Sequence, residues 1–309
     1  MNSASADAAA ARLRVRHPAV RYAAPVAYVA ALAATCVVRG IPTSRDAFFL
    51  WVLLGLATFS VTTGRASLRA LLVDWLPLAA VLFVYDVLRG YADGLLDAHV
   101  WPQLRFDEWV FDGTVPTVWL QERLWDGAAA IDWLDWAAWI VYLTHFFATL
   151  TVAACLWLFR RPLYRPYAAM VSVLALLGFA TYALFPAVPP WMASEEGALP
   201  PTERIVRDIS AAAPVDFFGS IWEHGARYAN DVAAMPSLHA AYALLITLFL
   251  WTRVGPRWRP LLAAYPVAMA FSLVYTGEHY VSDVLAGWLY AVVAFAAVTL
   301  VVRRRERYA

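Results

Sequence analysis

Apolar and polar positions alternate along this chain in long blocks rather than short periods. Apolar runs fill residues 21–39, 46–62, 69–90, 135–159, 166–185, 237–253, 259–276 and 280–301. Roughly 18 or more apolar residues in sequence give a helix long enough to cross the hydrocarbon layer of a membrane. A soluble protein with buried core helices would instead show polar faces at helical period. Stretches such as "AAPVAYVAALAATCVV" (residues 23–38) show none. The pattern therefore predicts an all-α, polytopic membrane protein with about eight transmembrane helices. The run at 46–62 is short and the run at 69–90 carries Asp74 and Asp86, so these two fit the span pattern least well.

Composition agrees: 62% of the 309 residues are hydrophobic and the mean hydropathy is +0.58. The net charge of +1 hides an asymmetry, because all 24 basic residues are Arg and most lie on alternate connections. They cluster in 12–21, 63–69, 160–165 and 253–259, and in the final "RRRERYA". Acid collects on the other connections, with Asp93, Asp97, Asp107, Glu108, Asp112, Glu122 and Asp126 in one of them. The positive-inside rule then places both termini in the cytoplasm and the long connections 91–134 and 186–236 outside. The first apolar run follows a basic, Ala-rich tail and reads as a signal anchor rather than a cleavable signal. The expected organisation is a disordered cytoplasmic tail at 1–20, two additional transmembrane helices in 21–68, a core at 69–302 and a basic cytoplasmic tail at 303–309. Cys36 and Cys155 both fall inside spans, so no disulfide framework or thiolate metal site is read. The basic tails face anionic lipid, and neither a nucleotide loop nor a nucleic-acid partner is indicated.

The two outer segments have their own character. Residues 91–134 hold Trp101, Trp109, Trp119, Trp125 and Trp133 among carboxylates. Within them "PTVWLQERLWDG" (116–127) predicts an amphipathic helix in the outer interface, its apolar side made of Val118, Trp119, Leu120, Leu124 and Trp125. That segment is either an aromatic belt that anchors the protein or a lipid-facing rim around a site. The segment 186–236 begins within "FPAVPPW" (185–191), where Pro186, Pro189 and Pro190 end a helix and force an extended path.

Candidate chemistry sits at helix mouths. In "MPSLHAAYALL" (235–245), Pro236 and Ser237 start a helix and His239 falls in its first turn. Free N–H groups at such an end, with the Ser237 hydroxyl, make an anion site. In "GEHYVSD" (277–283), His279 and Asp283 share a helix face one turn apart. The carboxylate can fix the imidazole tautomer and leave the other ring nitrogen free. The 40 residues between the two histidines suffice for one span in, a basic turn and one span back. Both therefore emerge on the outer face, where one histidine can act as nucleophile and the other as general acid on a phosphate ester. His145, inside "VYLTHFFATL" (141–150), reads as a structural polar contact.

"PSLH" followed by "HYVSD" resembles the second and third signatures of the type-2 phosphatidic acid phosphatase superfamily. With "FPAVPPW", the chain looks most like its inositol phosphorylceramide synthase branch, over roughly residues 69–302. The resemblance implies a six-helix phosphatase-like core with no metal or other cofactor. It also implies His279 as the nucleophile forming a phosphohistidine, Asp283 orienting it and His239 protonating the leaving group. The chain departs from the phosphatases in three ways. Leu238 stands where they carry Gly, Leu273 follows Ser272 where they carry a phosphate-clamping Arg, and their Lys…Arg-Pro signature has no outer counterpart. Another outer Arg must then meet the phosphate, alongside Ser237: Arg89, Arg204, Arg207 and Arg227 are the candidates, with Arg105 behind them. The missing clamp moves the reading from simple phosphatases toward head-group transferases.

The expectation is an integral plasma (inner) membrane enzyme with its site on the extracytoplasmic side. Its substrate is a membrane lipid carrying a phosphate ester, and a hydroxyl-bearing lipid is the possible acceptor. Two other readings stay open: a lipid-binding or transport protein that grips a phosphate without turnover, and a metal site built from His239, His279 and Asp283, which lacks an evident fourth ligand.

Overall fold

The computed structural model describes residues 18–39, 45–63, 68–92, 96–213 and 230–308. Among them the chain is helical, without a β-sheet. The helices are α1 (Pro18–Arg39), α2 (Arg45–Thr63), α3 (Leu68–Ala92), α4 (Trp101–Val110), α5 (Pro116–Leu124) and α6 (Trp133–Phe159). They continue as α7 (Arg161–Leu184), α8 (Pro190–Glu195), α9 (Ile205–Ala212), α10 (Leu238–Leu250), α11 (Arg259–Tyr275) and α12 (Val281–Tyr308). Each of the eight apolar runs lies on one helix: α1, α2, α3, α6, α7, α10, α11 and α12. Among the described residues three helices are long and apolar enough to cross a membrane: Trp133–Phe159, Arg161–Leu184 and Val281–Arg307. Shorter apolar helices occupy Tyr22–Val38, Ala47–Ser60 and Leu238–Leu250. Residues 1–17 of the expected tail lie outside the described residues.

Helix α10 is apolar on every side, which suits a helix surrounded by others. It packs against α6, α7, α11 and α12, and its Ala241, Leu245 and Phe249 are fully buried beside Ala153 of α6 and Leu174 of α7. Helix α3 lies against α7, and the α1–α2 pair attaches through α2 to α3 and α6. Leu285, Leu289, Val292 and Leu300 of α12 are exposed, the apolar surface that a lipid-facing helix presents.

Asp74 of α3 is resolved by its partners. Its side chain is 1% exposed. Arg161 donates to Oδ2 through Nε at 3.0 Å and Nη2 at 2.6 Å. Arg165 donates to Oδ1 through Nε at 3.0 Å and Nη2 at 2.9 Å. The Trp157 indole adds a bond to Oδ2 at 3.0 Å. A carboxylate on an apolar helix is thus matched by two guanidinium forks, a geometry that lysine cannot supply. The contact also sets the start of α3 at the same end of the bundle as the α6–α7 corner.

At the opposite end α4, α5, α8 and α9 form a cap. Two isolated parallel bridges join His99, Ala187 and Ala233, with Val188 donating to His99 O at 3.0 Å and Ala187 to Val232 O at 2.6 Å. The proline-rich "FPAVPPW" thus stitches the segments on either side of it. Helix α5 forms where an amphipathic helix was expected, but its polarity differs. Thr117 and Gln121 are its buried residues, while Trp119 is 45% exposed. Leu120, Leu124 and Trp125 are only half-buried, against the cluster of α6, α9 and α11. Helix α4 repeats the pattern, with Gln103 and Asp107 buried and Trp101 and Trp109 exposed. Polar groups inside and aromatic groups outside suit a helix that rests in a membrane interface rather than in water.

Candidate active site

The site is built around the turn between α11 and α12. Helix α11 ends against α6: Tyr275 donates from its hydroxyl to Asp135, and Ser272 donates to Ala138 O at 2.6 Å. Asp135 itself belongs to a capping box with Asp132, which accepts from Leu134 N at 2.7 Å and from Asp135 N at 3.1 Å. The chain then turns at Gly277, whose φ of +80° favours glycine. A Cβ there would also lie 2.6 Å from Glu203 O. The cap holds this turn: Gln121 of α5 donates to Tyr275 O and to Glu203 O, both at 2.9 Å, and Trp191 of α8 donates to Gly277 O at 3.2 Å.

His279 and Asp283 follow at the mouth of α12, and both are buried. Asp283 Oδ2 accepts the Tyr280 N–H at 2.9 Å and lies 3.5 Å from His279 Nδ1. Nδ1 therefore faces the carboxylate, and Nε2 is the nitrogen left for chemistry. Ser237 caps α10 as its sequence position requires, its Oγ accepting from Ala240 N at 3.3 Å. Its own N–H reaches across to Asp283 O at 2.9 Å, which ties the starts of α10 and α12 together. Gly287 permits that approach: a Cβ there would lie 2.2 Å from Ser237 O. His239 stands in the first turn of α10, its ring centroid 5.6 Å from that of His279. Rings this close can both act on one phosphate ester.

Among the candidate arginines whose side chains are described, Arg204 lies at the His279 turn. Arg204, in the loop before α9, donates to both carboxylate oxygens of Glu278, at 2.7 Å and 3.2 Å. Its guanidinium lies 4.4 Å over the Trp191 ring, and Asp231 is 3.7 Å from Nη1. Burial works against its charge, but the neighbouring Glu278 outweighs burial and holds the guanidinium above its ordinary range. Arg207, on the exposed side of α9, pairs with Asp208 at 3.8 Å. Arg105 is exposed and stacks on Trp101 at 5.6 Å. Arg89 is on the last turn of α3, its side chain outside the described residues, and Arg227 lies outside them altogether. Leu273, where a clamping Arg was absent, is fully buried in the core, and its carbonyl accepts the N–H groups of Glu278 and His279 at 3.1 Å and 3.2 Å. Leu238 finds space against α7 because residue 178 is glycine: a Cβ there would lie 2.9 Å from the Leu238 side chain.

Three contributions were not assigned to the site from the sequence. His145 is packed against His239, with ring centroids 3.8 Å apart, and Tyr142 stacks on the other flank of the same histidine at 5.2 Å. The i, i+3 spacing of Tyr142 and His145 on α6 was the available signal. Glu278 was visible only as a polar neighbour of His279. Asp107, apparently one of many outer carboxylates, accepts the N–H of Val281 at 2.9 Å and of Ser282 at 3.0 Å. Burial pushes its carboxyl up to about 6, against the lowering effect of those two bonds. Among the described residues no group of three or more His, Cys, Asp or Glu side chains has a metal-holding arrangement.

Fold and site together define a helical membrane protein whose paired histidines stand at the mouths of two apolar helices. The chain belongs to the PAP2 superfamily, whose profile matches residues 104–297, and this bears out the resemblance carried by "PSLH" and "HYVSD". The inositol phosphorylceramide synthase catalytic subunit of Schizosaccharomyces pombe is 32% identical over 167 residues, covering 52% of this chain and 39% of that protein. The phosphoinositol dihydroceramide synthase of Bacteroides thetaiotaomicron is 32% identical over 164 residues, covering 50% of this chain and 52% of that protein. The inositol phosphorylceramide synthase of Candida albicans is 27% identical over 168 residues, covering 52% and 35% respectively. The chain thus spans about half or less of the length of these relatives. No solved structure matches it.

Proposed function

We propose that this protein is a membrane phosphotransferase that moves a phosphate-bearing head group, inositol phosphate as in the synthases it resembles, from a donor lipid to a lipid hydroxyl. The observation that carries the reading is the pair of imidazoles with ring centroids 5.6 Å apart, one of them backed by Asp283, with Arg204 paired to Glu278 next to it. In the first step His279 Nε2 attacks phosphorus. The N–P bond forms, the P–O bond to the donor lipid breaks, and the leaving oxygen takes a proton from His239. In the second step the acceptor hydroxyl gives its proton to His239 as its oxygen attacks phosphorus. The N–P bond then breaks and His279 recovers its electron pair. Asp283 orients the imidazole and stabilises the charge it gains, while Arg204 and the start of α10 with Ser237 face the phosphate.

Transfer is favoured over hydrolysis because the reacting groups are enclosed. His279 is 5% exposed and Asp283 not at all, beneath a cap whose outer surface is aromatic, and excluding water suppresses phosphatase turnover. Depth fits too. The 13 residues of α10 rise about 20 Å, less than the roughly 30 Å of a hydrocarbon core. With the Arg-rich turn at 253–259 at the cytoplasmic boundary, His239 lies below the outer boundary, where a lipid phosphate can meet it. All eight apolar helices then cross the membrane, both termini are cytoplasmic, and the cap is extracytoplasmic.

The test uses purified protein in lipid micelles, offered phosphatidic acid, a polyprenyl phosphate, or phosphatidylinositol with a hydroxyl-bearing lipid. Free phosphate and head-group transfer are both followed, with His279→Ala alongside. Transfer that is lost by at least a thousandfold in the variant is the expected result. Unchanged turnover in His279→Ala would sink the mechanism, and free phosphate as the main product would replace transfer by hydrolysis. Lipid-phosphate binding without turnover would point to a binding or transport role.

A further inference from the structure

The first N–H groups of a helix have no partner within it and are a ready seat for an anion. At the start of α12 that seat is filled by the protein itself. Asp107, fully buried on α4, takes the N–H of Val281 on one carboxylate oxygen and that of Ser282 on the other. The preceding N–H, of Tyr280, goes to Asp283 Oδ2, the same oxygen that faces His279. Three consecutive donors, at residues 280–282, are thus consumed by two carboxylates, one local and one 174 residues away along the chain. A lipid phosphate entering the site cannot use this helix end and must rely on the start of α10 and on Arg204.

We propose that Asp107 is a positioning residue for the reaction: it seats the first turn of α12 so that Asp283 and His279 keep their shared orientation. The assignment rests on the phosphotransferase reading above. Asp107 touches neither histidine. Its grip is on the two residues lying between His279 and Asp283 that carry the free N–H groups, and it comes from the cap rather than the helical bundle. Helix α4 therefore couples the cap to the alignment of the nucleophile.

Asp107→Asn and Asp107→Glu test this beside the wild type and His279→Ala, in lipid micelles, with kcat and KM for the donor lipid and a thermal melt. The amide has one acceptor and turns an N–H toward a donor. A displacement on the order of 1 Å costs up to about a hundredfold in rate, so kcat should fall about 10- to 100-fold in Asp107→Asn while KM stays within about twofold. Asp107→Glu keeps the charge and burial but moves the carboxylate by a methylene. It should show the same split, and it carries the test if the Asn protein does not fold. Wild-type kcat in the folded variant overturns the proposal, and so does a rise in KM at unchanged kcat. If the wild type does not turn over, the transfer reading has failed, and Asp107 is judged by the NMR titration of the His279 ring. A displaced titration in the variant supports positioning, and an unchanged one overturns it.

Discussion

Replacing Gly287 by alanine tests whether the starts of α10 and α12 must touch. A Cβ at 287 would lie 2.2 Å from Ser237 O, where ordinary contact begins at 3.4 Å. The obstructing atom is backbone, so no rotamer change relieves it, and the two helix starts must part by about 1 Å. Two opposed effects follow. Alanine in a helix interior favours the helix over glycine by about 1 kcal/mol, whereas overpacking a close contact costs about 1–3 kcal/mol. The melt should therefore stay level or drop slightly. The larger effect is on the site. Ser237 N–H loses its 2.9 Å bond to Asp283 O, and His239 moves away from His279 by the same displacement. Misplacement on that scale is enough for about a hundredfold loss of rate. Head-group transfer and a detergent-solution melt, run on one preparation, separate the two effects. A variant that melts higher and transfers at the wild-type rate would refute the close-contact reasoning, because only the helix-propensity term would then be acting.

Arg204→Lys keeps a positive charge but loses the two-pronged hold on Glu278 and the flat stack on Trp191. A charge-assisted hydrogen bond contributes about 1.5–3 kcal/mol, so kcat/KM should drop about 10- to 100-fold, while Arg207→Lys on exposed α9 should alter it less than about twofold. Asp107 also predicts a pH signature in stability, measured as melting temperature against pH for wild type and Asp107→Asn. Its carboxyl is raised by burial, and by the charge of nearby Asp283, to about 6, so the folded protein holds that proton more tightly than the unfolded chain. The resulting stability is fully present below about pH 4 and lost as pH climbs to about 6. The shift from the ordinary 3.8 corresponds to about 3 kcal/mol. Equal pH dependence in the two proteins would contradict that environment.

The helices were legible because apolar blocks of span length leave few alternatives, and each block falls on one. The meeting of His239 and His279 was legible from spacing alone, since a turn between two helices returns the chain to the same end. Ser237 as a cap and Asp283 one turn after His279 followed from local rules. The rest depended on contacts that local pattern does not encode. Arg204 was one of several outer arginines until Glu278 and Trp191 selected it. Gln121 reaches Tyr275 across 154 positions, and Tyr275 reaches Asp135 across 140. Periodicity also misjudged the cap: in an interface the polar side of a helix can turn inward, so Gln103, Asp107 and Gln121 looked like solvent-facing residues and are buried ones.

The Asp74 clamp bears on how such a chain is put together. A lone carboxylate on an apolar helix such as α3 is costly to bury without partners. The two guanidinium groups that neutralise it are Arg161 and Arg165, 87 and 91 positions further on. While the chain is being made, α3 therefore emerges long before its counter-charges exist. Its carboxylate is matched only once the α6–α7 hairpin has emerged, so the order of synthesis and the order of assembly differ, and later helices lock an early one in place.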